Sequence, residues 1–281
     1  MKKLKLYISV GIAILLQTCS TYAHKPTEHN KLYYTVGIAP QFNARKIQTI
    51  WRPILKELEI RTNIHLTLRG TATISKFEQE FMAGQFDFAY TNPYRTLMAQ
   101  KTQGYIPLVR DVARQLYGVL VVRKDSPIKS VHELDGKTIA FPAPNSMGAS
   151  LMVRSDLKKL FNIKFNPLYS QSHNSSYLNV VLGKADAGGG VQKTFNRQDK
   201  NIKDKLRILH ETTRVPPHPF SVHPRIPKQV AEKIKQALLD MGKTEEGRSL
   251  LAAIPVKQIG PATTGDYESL LKMGLEEFNV R

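Results

Sequence analysis

Three short polar loops carry the residues best suited to hold a small charged molecule. They are Thr91-Asn92-Pro93-Tyr94, Pro144-Asn145-Ser146-Met147-Gly148-Ala149 and Ser170 through Ser176, a run that contains His173, Asn174 and Ser175. Each follows an apolar run and precedes a helical one. In open α/β sheets ligands sit beyond the carboxyl ends of strands, where helix amino termini converge. Unpaired amides and a positive dipole end there suit an anion. His173 can add a charge-assisted hydrogen bond when protonated. His218 lies in Val215-Pro216-Pro217-His218-Pro219, an extended segment stiffened by prolines. Read alone, each histidine fits a solvent-facing role as well as a ligand contact.

Catalytic readings fail on spacing. Gly136-Lys137-Thr138 ends like a phosphate-binding P-loop, but Val131 stands where the first glycine belongs, and a strand follows instead of a helix. His132-Glu133 lacks a second histidine four residues after His132, so the zinc-protease pattern is absent, as is any Gly-x-Ser-x-Gly elbow. Gly188-Gly189-Gly190 reads as a phosphate cradle or as a strand-to-helix turn needing open backbone angles. The eight histidines show no metal-ligand spacing, and the single cysteine excludes an internal disulfide framework and a Cys-based zinc site. No catalytic residue, metal or cofactor is expected.

The chain has 281 residues, 41% of them hydrophobic and 23% charged, which excludes collagen-like and disordered classes. Its 41 Lys and Arg against 23 Asp and Glu leave a net charge of +18. The basic residues are scattered over many helix faces without an aromatic-interleaved motif. That favours a solvated basic surface, and a field attracting small anions, over nucleic acid. Lys2, Lys3 and Lys5 precede the uncharged stretch Leu6 to Leu16, which is too short to span a membrane. Thr21 and Ala23 are small residues at a signal peptidase site, giving a signal peptide over 1–23. Leu16-Gln17-Thr18-Cys19 gives the competing reading, a lipobox with Cys19 lipidated. Either way the chain is exported.

Positioning the three loops requires alternating strands and helices. Residues 24–31 read as a polar tether. Strands are expected at Tyr33–Ala39, Ile64–Leu68, Phe86–Thr91, Leu116–Val122, Thr138–Phe141, near Leu168, at Ala185–Ala187 and at Leu206–His210. Helices are expected from Ile47 to about residue 60, around Phe77–Met82, after Asn92-Pro93, from about Ser146 to Leu160, and over Tyr177–Leu182. A short helical turn fits Val131–Leu134. The last 55 or so residues read as mostly helical, with Val230–Met241 and Gly247–Ala253. The alternation argues for an α/β protein with two open-sheet lobes. One lobe would comprise 31–116 plus 212–281 and the other 117–211, joined by two extended crossover segments.

Several motifs carry a family resemblance. Gly84-Gln85-Phe86-Asp87-Phe88-Ala89-Tyr90 resembles the NGQVDFAW segment of type 2 periplasmic solute-binding proteins. Val122 through Ile128, followed by Glu133-Leu134-Asp135-Gly136-Lys137, is similar to their lobe-crossing strand and following helix. Phe141 to Met152 resembles the ligand loop of the phosphonate-binding subfamily. Ser172-His173 and Gly183-Lys184-Ala185-Asp186-Ala187-Gly188 resemble its SH and NGxVDAG motifs, and Pro216 to Pro219 sits at its second crossover. The resemblance spans about residues 33–253. It implies a two-lobed type 2 periplasmic-binding-protein fold, each lobe an open mixed sheet flanked by helices, closing around its ligand.

The resemblance also implies a function. The chain would be a non-enzymatic, monomeric periplasmic protein of the phosphate/phosphite/phosphonate class, capturing a small oxyanion for an inner-membrane ABC permease. The alternative is a sensing module of the same fold signalling to a membrane kinase or cyclase. The implied contacts are Thr91, Asn92, Tyr94, Asn145, Ser146, Met147, Gly148, Ala149, His173, Asn174, Ser175 and His218. Where the subfamily loop reads Ser-Thr-Ser, this chain has Ser146, Met147 and Gly148. Family tyrosines fall at Ile74 and Thr91, a family aspartate at His218, and a family acid is unmatched around Val191–Lys193. Loss of those acids disfavours an aminoalkyl ligand and leaves the oxyanion site.

Overall fold

Burial alternation and helical stripes build the first layer. In β1 (Tyr33–Ile38), Val36 is fully buried, and α1 (Ala44–Thr62) turns Ile47, Trp51, Ile54, Leu55 and Leu58 onto the sheet. That stripe at intervals of three and four residues is what an amphipathic helix needs to cover a strand face. β2 (His65–Arg69) then pairs parallel to β1. The computed structural model describes residues 33–40, 44–254 and 256–280. The signal peptide, Cys19 and tether expectations lie outside those residues.

Asn92 caps the next helix as the sequence predicts. Its Oδ1 accepts from the Arg95 amide at 2.8 Å and Pro93 opens α3 (Pro93–Gln103). Before it come α2 (Ile74–Met82) and β3 (Phe88–Tyr90), and after it β4 (Ile106–Asp111). The chain then crosses into a second sheet made of β5 (Gly118–Arg123), β6 (Thr138–Phe141), β7 (Asn166–Tyr169), β8 (Ala187–Val191) and β9 (Leu206–Glu211). Its helices are α4 (Val153–Lys159), α5 (His173–Val181), α6 (Gln192–Asn196) and α7 (Lys200–Lys203). The chain returns through β10 (Phe220–Val222), α8 (Lys228–Met241), α9 (Glu245–Ala253) and β11 (Ile259–Pro261).

The strands form two sheets, ordered β11-β4-β10-β3-β1-β2 and β7-β6-β8-β5-β9. Both are mixed. β10 inserts antiparallel between β3 and β4, and β5 runs antiparallel to β8 and β9 while β6 runs parallel to β7 and β8. The two crossovers pair with each other. Leu116 and Val215 exchange both main-chain hydrogen bonds, at 2.8 and 2.9 Å.

More than two strands joins the sheets. Tyr94 and Leu97 of α3 pack in one apolar cluster with Leu116 and Val215 of the crossovers, Met147 and Leu151 beyond β6, and Tyr267 near the carboxyl terminus. The C-terminal segment adds polar ties to both sides. Asn279 accepts from Arg95 at 2.6 Å, while Val280 exchanges main-chain hydrogen bonds with the Asn145 amide at 2.8 and 2.9 Å. The two crossovers are thus reinforced by a shared apolar cluster and by the C-terminal segment.

Two further sequence readings change. The helix expected from Ser146 begins as a π turn over Met147–Met152, because the Ser146 carbonyl accepts from both Ser150 and Leu151. The glycine run is strand, not a strand-to-helix turn, and none of Gly188, Gly189 and Gly190 has a positive φ. Close approach explains them. A Cβ on Gly189 would stand 2.1 Å from the Ala149 carbonyl oxygen, and one on Gly118 of β5 2.1 Å from the Gly148 oxygen. The π turn therefore rests directly on bare backbone.

Gly190 faces Tyr177 of α5, whose hydroxyl would lie 1.8 Å from an added Cβ. Tyr177 is fully buried and its hydroxyl is 3.0 Å from Thr194 Oγ1, so it has little room to withdraw. Gly190→Ala should destabilise the protein by about 1–3 kcal/mol through overpacking. Gly70→Ala, with no neighbouring atom within 4 Å, should stay within about 0.5 kcal/mol of wild type. Denaturant melts of both variants check this, and equal stability would contradict the packing argument.

Candidate ligand-binding site

The loops that follow β3, β6, β7 and β8 supply the candidate residues, together with the second crossover. After β3, Thr91 is 1% exposed and its Oγ1 has no hydrogen-bond partner. Asn92 uses Oδ1 as the α3 cap. After β6, the amides of Met147, Gly148 and Ala149 precede the first helical hydrogen bond, donated by Ser150 to Ser146. The Ser146 hydroxyl makes no capping bond. Ser150, which the sequence reading passed over, is fully buried with its hydroxyl unpartnered.

His173 opens α5, where Ser172 Oγ accepts from the Ser175 amide at 3.0 Å. Its Nδ1 lies 3.4 Å from Thr194 Oγ1. The same Thr194 hydroxyl meets Tyr177 at 3.0 Å and donates to the Val191 carbonyl at 2.8 Å. This fixes the corner between β8 and α6 and leaves His173 Nε2 as the ring atom for other contacts. Burial, with the Lys193 ammonium adding repulsion, pushes the His173 pKa down to about 4. His218, on the second crossover, stacks on Tyr90 with ring centroids 5.5 Å apart. Burial and then Lys193 push its pKa down to about 3. Both imidazoles are neutral at pH 7.

Lys193 links them. It stands in the first turn of α6, half-buried, and neither a hydrogen-bond nor an ion-pair partner reaches its ammonium among the described residues. Burial, then Arg197 and Arg114, lower its pKa to about 8, and Asp111 opposes the shift. Asp111 is 4% exposed and its oxygens accept from the Ala113, Lys257 and Gln258 amides at 2.9, 2.8 and 3.3 Å. That carboxylate is therefore held by main chain, with the Arg114 guanidinium 3.9 Å away.

The residues named from sequence are thus divided. His173 and His218 both lie near enough to Lys193 for its charge to lower their pKa, and Thr91 follows the Tyr90 on which His218 stacks. Asn145 turns its amide to Val280 and, at 3.3 Å, to Glu78 of α2. Tyr94 and Met147 are each 2% exposed inside the apolar cluster at the crossovers. Asn174 is exposed, and Gly148 and Ala149 press their carbonyls on β5 and β8. Lys193 and Thr194 were not singled out as contacts. Their one sequence signal is position, just after a strand and at the start of a helix. Among the described residues no group of three His, Cys, Asp or Glu could hold a metal ion.

Known proteins resemble the chain over most of its length. The sequence pattern of the family described as ABC transporter, phosphonate, periplasmic substrate-binding protein matches residues 36–267. The phosphate-import protein PhnD of Mycolicibacterium smegmatis is 21% identical over 80% of this chain and 77% of its own length. The phosphonates-binding periplasmic protein of Escherichia coli is 20% identical over 84% of this chain and 73% of its own. The crystal structure of PhnD1 from Prochlorococcus marinus in complex with methylphosphonate shares the fold. Its TM-score is 0.78 at 16% identity, covering 89% of this chain and all of that one. With a two-sheet α/β architecture and a family match over more than four-fifths of its length, the chain belongs to the phosphonate ABC-transporter family of periplasmic substrate-binding proteins.

Proposed function

We propose that the chain captures a small oxyanion of the phosphonate, phosphite or phosphate class between its two sheets and passes it, as a monomer, to an ABC permease. One observation carries the reading. Two neutral imidazoles, His173 and His218, flank the cation Lys193, and the nearby Asp111 carboxylate is engaged by main-chain amides. Lys193 offers positive potential to an anion, and His173, whose Nδ1–H goes to the Thr194 hydroxyl, would donate from Nε2 on taking up a proton with the anion. Thr91 and Ser150 carry buried hydroxyls with no hydrogen-bond partner among the described residues. Two lobes, divided near residues 116 and 212, would close over the ligand. We further propose export with cleavage after Ala23, which intact mass distinguishes from lipidation at Cys19.

Isothermal titration against methylphosphonate, phosphite, phosphate and sulfate tests the ligand class. Removing a hydrogen bond to a charged group costs about 1.5–3 kcal/mol, so His173→Ala should weaken binding roughly ten- to a hundredfold. Wild-type affinity in this variant, with the fold intact, would remove His173 from the site. Scattering should show a smaller radius of gyration with ligand than without.

The imidazoles also set an acid limit. Folded pKa values of about 4 and 3 lie below the unfolded value near 6.5. Between them the unfolded chain binds more protons, so stability is full above about pH 6.5 and falls as pH drops through that window. The ligand-free thermal midpoint should therefore fall more steeply from pH 6.5 to 4 in wild type than in His173→Gln/His218→Asn. Parallel curves would contradict the assignment.

A further inference from the structure

Lys193 is held in place by its neighbours. The Gln192 amide donates to the Tyr117 carbonyl at 3.3 Å, and Thr194 is fixed by Tyr177 and Val191 on the other side. The lysine between them is half-buried, and no described residue gives its ammonium a hydrogen bond or an ion pair. An unpaired, partly desolvated cation is costly unless something binds it.

The charged and titratable groups around it are few. From α5 comes His173 and from the second crossover His218, both neutral at pH 7. The end of β4 and the first crossover contribute Asp111 and Arg114, and α6 itself contributes Arg197. Asp111 is the one carboxylate among these groups, and the Ala113, Lys257 and Gln258 amides and, at 3.9 Å, the Arg114 guanidinium engage it. Arg114 and Arg197 add positive charge. An ammonium group entering here would meet Lys193 and Arg197, with Asp111 already engaged by main-chain amides and Arg114.

We propose that Lys193 is the specificity-determining charge of the cleft: it pairs with a second negative charge on the ligand and excludes ligands bearing an ammonium group. The ligand class is then a compact dianion with a neutral or anionic substituent. Zwitterionic aminoalkylphosphonates are rejected. This rests on the oxyanion reading above and narrows it.

The protonation of Lys193 gives the proposal a second signature. With its pKa lowered to about 8, the ligand-free lysine loses charge as pH rises past that value. Above pH 8 affinity for a fully ionised dianion should fall, up to tenfold per pH unit for one proton.

The test uses calorimetry at pH 7 with phosphonoacetate, methylphosphonate, 2-aminoethylphosphonate, phosphate and sulfate. Wild type should bind the best of the first two at least tenfold more tightly than 2-aminoethylphosphonate. Lys193→Met and Lys193→Gln should each compress that ratio below threefold and flatten the pH profile above 8. Lys193→Glu should shift preference toward the ammonium ligand. If wild type binds phosphonates but the neutral variants keep ratio and pH profile, with circular dichroism unchanged, the Lys193 assignment is overturned alone. If wild type binds none of the five probes, the oxyanion reading falls and this one with it.

Discussion

Strand β8 works because it is almost bare. Gly188, Gly189 and Gly190 leave its two faces open to main chain and to a tyrosine ring, where any Cβ would collide. On one side the carbonyl of Ala149 seats the π turn after β6. On the other the Tyr177 hydroxyl passes over Gly190 to Thr194, and Thr194 reaches His173. The same corner presents Lys193. A strand normally stabilised by side-chain packing has given that up for close backbone approach. The loss is offset by neighbours at full interior density, since Phe141, Tyr177 and Val180 are all completely buried beside it.

The two sheets are coupled in ways that local sequence patterns do not reveal. The cluster of Tyr94, Leu116, Met147, Val215 and Tyr267 draws on both sheets, both crossovers and the C-terminal region. Beside it, Arg95 and Glu78 form a nearly buried ion pair at 2.9 Å, which Asn145 joins from the other sheet's loop. Burial pushes the Glu78 carboxyl up and Arg95 opposes that shift. Removing one partner from such a pair leaves an uncompensated buried charge, so the contact resists opening. The crossovers and the C-terminal segment thus tie the two sheets together on this side.

The elements most legible in the sequence are those whose stability is local. Thr138–Phe141 is bounded as read, and Val131–Leu134 forms the expected turn, with Glu133 accepting from Ser130 in a capping box. Asn92-Pro93 announces α3 because a cap is a few-residue event. The strands that escaped notice are β4, β10 and β11. Two of them have only three residues, two contain proline, and all three exist through antiparallel partners far away in sequence. The glycines misled for a related reason. Gly in a turn and Gly under a carbonyl look alike until the carbonyl is in place. In the site, His173 and His218 stand out by residue type. The tie between Asn145 and Val280 joins positions too distant for any periodicity to signal.

Charge gives the cleft its character, and the balance there is local rather than global. The net charge of +18 spreads over many surfaces and distinguishes no partner. Inside the cleft, desolvation silences the two histidines and lowers Lys193 without neutralising it at pH 7. Asp111 sits close enough to oppose that shift, yet the amides of Ala113 after β4 and of Lys257 and Gln258 before β11, with Arg114 at 3.9 Å, hold its oxygens. Engaging that carboxylate with main chain and Arg114 leaves Lys193 without an ion pair among the described residues. On the proposed reading, an anion binding this cation stabilises the folded chain by mass action.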